Sequence, residues 1–337
     1  MTQPLLQTAL GQKMDRTPIW LMRQAGRYLE EYQDLRETYS FLELCKKPTL
    51  AVRVSLEPYE RFGMDGVILF SDIMIPAQAM GLNLDFVPGP VVQNPIRSLK
   101  QISDLKIPDP QTDLKFVLDT LHILRNEISE SSTLIGFCGG VFTTASYMVE
   151  GKHVDGFPTY LKFLKEEPNQ ATLLFEKLTD TLIAYLKAQI KAGADIVQIF
   201  ESQAYLATEL EYEKFIFPYQ DKMLRALKAE NIPVILFVKE TKRFLNQIKK
   251  LEAPVVSIDH GLSLEEAKQH FGKTPLQGNL DPQILVQGTP QDIQREAQKI
   301  LEQMKDHPHI FNLGHGVLKL TPPKNVSILV EAVRRGF

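Results

Sequence analysis

The stretch PVILFVKE, residues 233–240, decides the fold class of this chain. It opens at a proline, continues through apolar residues to Val238, and ends in the charged side chains of Lys239 and Glu240. A short apolar run of this kind, bounded by a turn residue, predicts a strand that is buried on both faces, as in a parallel sheet. The charged pair then lies where that strand ends.

Seven further apolar runs resemble this one, and segments with helical periodicity separate most of them. The eight runs are residues 18–22, 66–70, 133–137, 195–200, 233–238, 254–258, 275–278 and 309–312. Strands that alternate with helices indicate parallel strands joined by helical crossovers. Eight such units favour closure into an α/β fold of the (β/α)8 TIM barrel type, with a single domain over residues 1–337.

An open doubly wound sheet of similar content is the alternative to the barrel. Sheets of that type commonly carry a glycine-rich loop that binds phosphate. No G-x-G-x-x-G follows the first run, and no G-x-x-x-x-G-K-[ST] occurs in the chain. The barrel is therefore the preferred fold.

Several segments between the runs carry helix or loop signals. Residues 160–192 have apolar side chains at helical spacing among lysines and glutamates, which predicts a long helix. Ser263 followed by Glu266 predicts a capping box, and Thr289-Pro290 predicts a helix start with proline at the first helical position. Residues 91–112, rich in proline and polar residues, predict a long loop or excursion between the second and third strands.

Composition limits the class of protein. The formal net charge of −3 gives no sign of nucleic acid or an anionic membrane as a partner, since either favours a basic chain. No apolar stretch approaches the ~20 residues of a membrane-spanning helix, and the N-terminal residues lack the pattern of a signal peptide. Cys45 and Cys138 are too few for a disulfide framework. We expect a cytoplasmic globular protein.

Polar or glycine-rich sequence follows every run. In a (β/α)8 barrel the catalytic groups lie just beyond the carboxyl ends of the strands. The residues at these positions are Arg23 and Arg27, Ser71-Asp72, Gly139, Gly140 and Tyr147, Glu201-Ser202, Lys239-Glu240, Asp259-His260, Asn279 and Asp281, and Gly314-His315-Gly316. The sequence thus predicts one site that is built from all eight loops.

Each of these residues also has a purely structural interpretation. Arg23 and Arg27 suit bidentate capture of carboxylates at the mouth, but arginines four residues apart also form solvated helix faces. Asp72 is a possible N-cap of the next helix. Tyr147 is alternatively a core aromatic residue, and His315 a loop histidine.

Other kinds of site are poorly supported. His307, His309 and His315 are close in sequence, but no cysteine is near them, and the first two precede or open a strand at the other end of the barrel. We therefore expect no metal site. A G-x-S-x-G elbow for a serine nucleophile is absent. Lys239 is the one candidate for a Schiff base.

Several blocks together resemble a known family. The chain reads PIWLMRQAGRYL, ILFSDI, PAQAMGL, SYMVEG, LQGNLDP and NLGHG…TPPKNV in that order, between Thr17 and Val326. These blocks resemble the uroporphyrinogen decarboxylase family. The resemblance implies a (β/α)8 barrel, a homodimer, and decarboxylation without any cofactor. It also implies that the four acetate side chains of uroporphyrinogen III become methyls, giving coproporphyrinogen III for haem and other tetrapyrroles.

The resemblance also assigns roles to individual residues. Arg23 and Arg27 would bind substrate carboxylates, and Asp72 would accept hydrogen bonds from the pyrrole N–H groups at the centre of the macrocycle. The further positions that match the family pattern are Tyr147, Ser202, His315 and Arg36. Of these residues, the resemblance and the chemistry together make Asp72, Arg23 and Tyr147 the expected catalytic set.

The chain departs from the family pattern at three places. Glu30 follows GRYL where proline is common, residues 140–145 read GVFTTA where many bacterial relatives read APWTLA, and Lys319-Leu320 replaces Pro-Asp. We expect all three to lie in loops that shape the mouth. They then bear on fine substrate preference and leave the catalytic positions intact.

The chemistry suits these residue types. A protonated pyrrole can accept the electron pair that decarboxylation leaves, so the enzyme must favour a cationic ring and supply protons. An ionised, shielded Asp72 would stabilise that charge where it develops. Guanidinium groups would compensate the carboxylates that lose water in the cleft. The source of the ring proton stays open between Arg23, water and a protonated neighbour.

Two other functions are the alternatives. A zinc-dependent cobamide–thiol methyltransferase of the same superfamily needs histidine and cysteine ligands in the later loops. The segment from Asp259 to Leu262 has no cysteine, and none follows Cys138. A non-catalytic tetrapyrrole-binding protein would keep the arginines but could dispense with Asp72 and Tyr147.

Overall fold

The computed structural model describes residues 2–87 and 89–336 and has a mixed α/β fold. Seven strands form one curled parallel sheet in the order β1-β4-β5-β6-β7-β8-β9, and β2 pairs with β3 in a separate antiparallel hairpin. The strands are β1 (Gly66–Ile68), β2 (Leu84–Phe86), β3 (Pro90–Val92), β4 (Thr133–Gly139), β5 (Ile196–Glu201), β6 (Val234–Val238), β7 (Val255–Ser257), β8 (Leu276–Leu280) and β9 (His309–Leu313).

Helices follow most of the strands, as the alternating pattern predicts. They are α1 (Pro4–Ala9), α2 (Glu30–Thr38), α3 (Phe41–Lys46), α4 (Pro48–Phe62), α5 (Ile75–Ala79), α6 (Leu99–Asp104), α7 (Pro110–Asp113), α8 (Lys115–Glu127), α9 (Val141–Glu150), α10 (Pro158–Glu166), α11 (Pro168–Lys191), α12 (Glu209–Phe215), α13 (Phe217–Lys228), α14 (Leu245–Lys250), α15 (Leu264–Phe271), α16 (Pro282–Gln287), α17 (Pro290–Met304) and α18 (Pro323–Arg335). Two short 3-10 helices cover Ala204–Leu206 and Thr241–Phe244.

The first predicted run, residues 18–22, is not a regular strand. Its single bridge joins Ile19 to Phe311 of β9, and on its other side the N–H of Asp65 donates to the carbonyl of Ile19 at 2.8 Å. Two side chains take the place of ladder partners: Asp65 accepts from the N–H of Ile19 at 2.9 Å, and Asn312 accepts from the N–H of Met22 at 2.9 Å. The segment nevertheless lies between β9 and β1, so it fills the eighth position of a TIM-barrel type fold.

The other seven runs are confirmed as strands, with ends that differ from the predicted ones by at most two residues. Residues 91–112, predicted to be a long loop or an excursion between strands, form an excursion: β3 ends inside it, and it contains α6 and most of α7. Ser98 and Asp109 cap these helices with their side chains. The predicted helix at residues 160–192 is two helices, α10 and α11, since Pro168 begins a new helix.

Both predicted helix starts are found. Thr289 caps α17 and forms a full capping box with Asp292. Ser263 caps α15 by accepting from the N–H of Glu266 at 3.2 Å, but the second half of that capping box is not formed. The carboxylate of Glu266 lies 3.3 Å from the ammonium of Lys242 instead.

The interior of the barrel contains polar side chains as well as apolar ones. The indole of Trp20 donates to the side-chain oxygen of Gln277 at 2.9 Å. The amide nitrogen of Gln277 lies 3.1 Å from the oxygen of Gln198 on β5 and 2.9 Å from the hydroxyl of Ser257 on β7. All four side chains are buried. This network connects the first segment of the barrel to three of its strands.

Candidate active site

The turn that carries Arg23 is tied to the barrel on both sides. The side chain of Gln24 accepts from the N–H of Leu21 at 3.1 Å and donates to the carbonyl of Gly66 on β1 at 3.1 Å. Asn312 of β9 holds the preceding residue, Met22. Arg23 itself has a φ of 60°, a left-handed conformation that is unfavourable for a residue with a side chain and persists only where the surroundings impose it.

The glycine-rich block after β9 packs against this turn. The N–H of Val317 donates to the carbonyl of Met22 at 2.9 Å. A Cβ atom added to Gly316 would collide with the side chain of Arg23, so only glycine leaves room for the guanidinium to reach the mouth. The two blocks are almost 300 residues apart in the sequence and form one wall in the structure.

The three predicted arginines have different environments. The side chain of Arg23 is exposed to solvent in the cleft, yet it lies deep among protein atoms, so desolvation lowers its pKa while Tyr147 and Asp72 raise it. Arg27 is exposed and its positive charge also acts to lower the pKa of Arg23. Arg36, on α2, donates to the carbonyl of Tyr39 at 2.6 Å and is half-buried. It is therefore engaged locally rather than with the other arginines.

Asp72 is not the N-cap of α5, because that position belongs to Met74. Its Oδ1 accepts from the N–H of Met74 at 2.8 Å in a local turn. Burial raises the pKa of Asp72 to about 6, while the N–H of Met74 and the charge of Arg23 act in the opposite direction. The carboxyl is therefore mostly ionised at pH 7, and a small change of environment would protonate it.

Tyr147 is half-buried on α9, where its ring stands edge-on to Phe157 with 5.2 Å between centroids. The amide nitrogen of Gln203 donates to its hydroxyl at 3.2 Å. Burial raises the pKa of Tyr147, the bond from Gln203 lowers it, and Asp72 and Arg23 act in opposite directions. Tyr147 thus remains a neutral phenol across the physiological range.

Ser202 and His315 lie at the same end of the barrel, directly after β5 and after β9, and both are half-buried. Burial, together with the positive charges of Arg23, Lys239 and His260, lowers the pKa of His315 to about 3. His315 is therefore neutral at pH 7, so it can offer a hydrogen bond but no charge.

An aromatic row lies beneath this region. The rings of Phe137 and Phe200, on β4 and β5, are 5.7 Å apart, those of Phe200 and Phe237 are 6.3 Å apart, and His315 stands edge-on to Phe237 at 6.0 Å. From the sequence these phenylalanines are predicted only as strand interior. Their placement near strand ends is the one signal that relates them to the site.

The structure brings Arg23, Asp72 and Tyr147 together, since each acts electrostatically on at least one of the others. His315 belongs to the same group through Arg23. Arg36 is not brought into it by any described contact. The ammonium of Lys239 lies 4.2 Å from the ring centroid of Tyr205, in a cation–π contact at the same end of the barrel.

The histidines that open and precede β9 have structural roles. His309 is buried and its Nε2 lies 2.6 Å from the carbonyl of Gly278, while the Nε2 of His307 lies 2.8 Å from the carbonyl of Thr274. Within residues 2–87 and 89–336, no group of three or more His, Cys, Asp or Glu is arranged to hold a metal ion. Cys45 and Cys138 are buried free thiols.

The three departures from the family pattern do not all lie in loops, so that expectation is wrong in part. Glu30 is the first residue of α2 and is exposed. Residues 141–145 are buried in the first turns of α9, packed against the end of β5. Only Lys319 and Leu320 lie in an exposed turn.

Two half-open pockets lie away from this site. One of about 400 Å³ is lined by residues such as Arg125, Asn231 and Pro233, and one of about 420 Å³ by residues such as Arg16 and Asp65. These residues precede the strands, so both pockets are at the amino-terminal end of the barrel. No helix in the described part of the chain is long and apolar enough to cross a membrane.

Comparisons with known proteins agree on one family. A family model described as uroporphyrinogen decarboxylase matches residues 1–336. Proteins named uroporphyrinogen decarboxylase from Geotalea uraniireducens and Geobacter metallireducens are 43% and 44% identical to this chain, over 99% of both chains in each case. A solved structure described as a methyltransferase from Methanosarcina mazei aligns with a TM-score of 0.83 at 21% identity, over 98% of this chain and 97% of its own. That likeness concerns the fold alone.

Proposed function

Because this chain belongs to the uroporphyrinogen decarboxylase family, we propose that the open end of its barrel converts the four acetate side chains of uroporphyrinogen III into methyl groups, which gives coproporphyrinogen III. The enzyme is a decarboxylase, hence a carboxy-lyase, of porphyrin and haem biosynthesis. The observation that carries this proposal is that Arg23, Asp72 and Tyr147 lie near enough for the charges of the first two to act on the third.

The substrate itself accepts the electrons in this mechanism. A proton adds to the ring carbon beside the carbon that bears the acetate, and the pyrrole becomes cationic. The bond to the carboxylate breaks, CO2 leaves, and its electron pair forms an exocyclic double bond that neutralises the ring. A second proton makes the methyl group, and the ring carbon releases the first. Each acetate therefore consumes one proton and releases one CO2, and we propose that no cofactor is needed.

Asp72 provides the negative charge that the cationic ring requires. Its pKa of about 6 leaves it mostly ionised at pH 7, although burial opposes that charge. A carboxylate held in such a recess stabilises a developing cation more strongly than one in water does. If the pyrrole N–H groups surround Asp72, the macrocycle can turn about it and present each acetate in succession to the same side chains.

Arg23 and Arg27 bind the acidic arms of the substrate. A charge-assisted hydrogen bond contributes about 1.5–3 kcal/mol, so two guanidiniums hold a polyanion despite the net charge of −3. Burial lowers the pKa of Arg23, the direction that makes it a better acid. The guanidinium nevertheless remains a very weak acid, so we assign Arg23 to carboxylate binding, with water as the source of the ring proton.

The remaining residues of the family pattern complete the contacts. Tyr147 offers a phenol O–H, and Ser202 and a neutral His315 offer further hydrogen bonds to carboxylates. We place Arg36 at the margin of the site, where it can serve an outer carboxylate once it leaves the carbonyl of Tyr39.

We also propose that the enzyme is a homodimer. Large apolar side chains such as Val87, Leu210 and Leu320 are at least 70% exposed in the single chain, and a second copy that covered them would remove apolar surface from water. One chain has a mass of 38.3 kDa. Sedimentation at micromolar concentration is expected to give twice that mass. A monomer at that concentration contradicts the proposal.

We further propose that the enzyme works in the cytoplasm, where its two buried free thiols stay reduced. Fractionation of the source cells is expected to recover the activity with cytoplasmic markers. Activity in a membrane or secreted fraction would contradict this location.

The decisive experiment for the function is anaerobic incubation of purified, chelator-treated protein with uroporphyrinogen III, followed by oxidation and chromatography of the products. We expect hepta-, hexa- and pentacarboxylate intermediates and then the tetracarboxylate product. A methyltransferase would be inactive here and would bind zinc stoichiometrically after reconstitution. A non-catalytic binding protein would return the octacarboxylate unchanged.

A further inference from the structure

Three buried polar residues behind the site are joined by hydrogen bonds. Glu201 ends β5 with its side chain fully buried. Its Oε1 accepts from the backbone N–H of Thr143 at 2.7 Å and from the hydroxyl of Thr143 at 2.5 Å. The same hydroxyl accepts from the backbone N–H of Gln203 at 2.9 Å. We call Glu201, Thr143 and Gln203 the Thr143 network.

The direction of these bonds is determined by the donors. The backbone N–H of Gln203 can only donate, so the hydroxyl of Thr143 accepts there and gives its own proton to Glu201. Burial raises the pKa of Glu201 to about 7, against the effects of Thr143, the N–H of Phe142 and the side chain of Gln220. Because its Oε1 already accepts two hydrogen bonds from Thr143, a proton on this carboxyl would reside on Oε2. Oε1 remains an acceptor in both protonation states.

The network joins the end of β5 to the start of α9. Gly140, the N-cap of α9, has no side chain to offer, so the carboxyl of Glu201 reaches across from β5 to satisfy the N–H of Thr143 in the first turn. A Cβ atom at Gly140 would collide with that carboxyl. Tyr147 lies one helical turn after Thr143 on the same helix.

The network ends at the hydroxyl of Tyr147. The amide nitrogen of Gln203 donates to this oxygen at 3.2 Å. A phenol oxygen that accepts a hydrogen bond keeps its own proton free to donate elsewhere. The ring of Tyr147 is already held by its contact with Phe157, so the bond from Gln203 sets where the proton points.

We propose that the Thr143 network is a positioning device that turns the hydroxyl proton of Tyr147 toward the substrate. This inference rests on the proposed function, because it places Tyr147 against the reacting macrocycle. It assigns Gln203 the decisive contact and makes Thr143 the residue that fixes Gln203 relative to α9. The network therefore acts on the chemical step, whereas the arginines act on substrate capture.

The first test is a pair of matched variants at each position. Thr143→Val removes both hydroxyl bonds and Thr143→Ser keeps them, so we expect kcat to fall about tenfold in the first and to stay near the wild-type value in the second.

Gln203→Glu keeps the length of the side chain but turns the donor into an acceptor that would take the proton of Tyr147. We expect it to lose as much kcat as Gln203→Leu, with KM little changed in both.

A double-mutant cycle separates positioning from a general loss of structure. If Gln203 acts through Tyr147, then Gln203→Leu has little further effect on kcat once Tyr147→Phe has removed the hydroxyl. An equal loss in both backgrounds would overturn the proposal, as would full activity of Thr143→Val or Gln203→Glu.

One further measurement does not depend on activity. The ¹³Cζ resonance of Tyr147 in tyrosine-labelled protein can be assigned by its disappearance in Tyr147→Phe. We expect it to shift in Thr143→Val and Gln203→Leu and to stay unchanged in Thr143→Ser. An unshifted resonance in the first two variants overturns the network even if the enzyme turns over uroporphyrinogen. A shift without any turnover by the wild type would instead mean that the proposed function fails.

Discussion

The ionised carboxyl of Asp72 destabilises the folded protein. Its carboxyl is half-buried beside Arg23 and keeps one hydrogen bond to the N–H of Met74. The raised pKa, about 6 against an ordinary 3.8, means that the folded protein disfavours the ionised form. The mechanism needs that form, so the residue costs folding free energy in exchange for catalysis.

Replacing Asp72 with asparagine is expected to separate activity from stability. Asp72→Asn removes the charge that stabilises the cationic ring, so kcat should fall at least about a hundredfold. Tyr147→Phe removes one hydrogen bond and should cost only about tenfold. Steady-state turnover of uroporphyrinogen measures both, and equal losses would contradict the role given to Asp72.

The same Asp72→Asn variant should be more stable than the wild type at pH 8, by on the order of 2 kcal/mol. Because folding raises the pKa of Asp72 from 3.8 to about 6, the cost of its ionisation builds up between about pH 4 and pH 6 and is complete above pH 6, so the advantage of the variant should disappear below about pH 4. Denaturant titration at both pH values measures it. Asp155→Asn, at a fully exposed position, is the control and should leave the free energy of unfolding unchanged.

The pKa of Asp72 also predicts the acidic limb of the activity profile. Because the ionised form is required, kcat/KM should fall about tenfold per pH unit below pH 6. His315, with a pKa of about 3, should not contribute in this range. Carboxylates of the substrate titrate lower, near about 4.3. A rate profile that stays flat down to pH 4.5 would contradict this assignment.

At the scale of elements, the turn at residues 21–24 connects barrel closure to substrate binding. Gln24 bonds to β1 and Asn312 of β9 bonds to Met22, so the two edges of the sheet hold the arginine turn between them. Arg23 adopts its left-handed conformation because these anchors leave no alternative. We therefore expect the geometry of Arg23, to which we assign carboxylate binding, to depend on Gln24 and Asn312.

Gln24→Met tests this dependence. Methionine fills the same volume but makes neither hydrogen bond, so the turn loses its anchor on β1 while the core stays packed. We expect KM for uroporphyrinogen to rise about tenfold with a smaller change in kcat, measured by initial rates. Gln12→Met, at an exposed position, serves as the control. Unchanged kinetics in Gln24→Met would show that the position of Arg23 does not depend on the hydrogen bonds of Gln24.

At the scale of the whole molecule, the barrel is joined across its interior by a polar side chain. Gln277 on β8 contacts Trp20, Gln198 and Ser257, and it thereby links the irregular first segment to the regular strands. Buried polar groups that lose their partner cost about 1–3 kcal/mol each. The network thus compensates for the backbone ladder that residues 18–22 lack.

Gln277→Met is expected to lower the free energy of unfolding by about 3 kcal/mol, because the indole N–H of Trp20 and the amide of Gln198 would be left unpaired in the interior. Denaturant unfolding followed by Trp20 fluorescence measures it. Gln303→Met, exposed near the end of α17, should leave stability unchanged. A stable Gln277→Met protein would mean that the first segment is held by apolar packing alone.

Several features of the site were predictable because they depend on local sequence. The run that ends at Val238 and the charged residues after it indicated both a strand and the end at which chemistry occurs. Arg23, Asp72 and Tyr147 follow three different runs, and the charges of the first two act on the third at the same end of the barrel. The helix starts at Ser263 and Thr289 could be predicted because capping also depends on local sequence.

By itself, the amino-acid sequence determined the alternation of strands and helices, the end of the barrel that carries the polar residues, and the family. The pattern of apolar residues and its period are local properties, so they can be recognised in any window of a few residues. Only the tertiary structure decided that side chains of Asp65 and Asn312 replace a strand ladder, that Arg36 bonds to Tyr39, and that residues 141–145 belong to a buried helix. The contacts of Glu201, Thr143 and Gln203 join residues about sixty apart, and no local pattern reports which distant partners meet when the chain closes on itself.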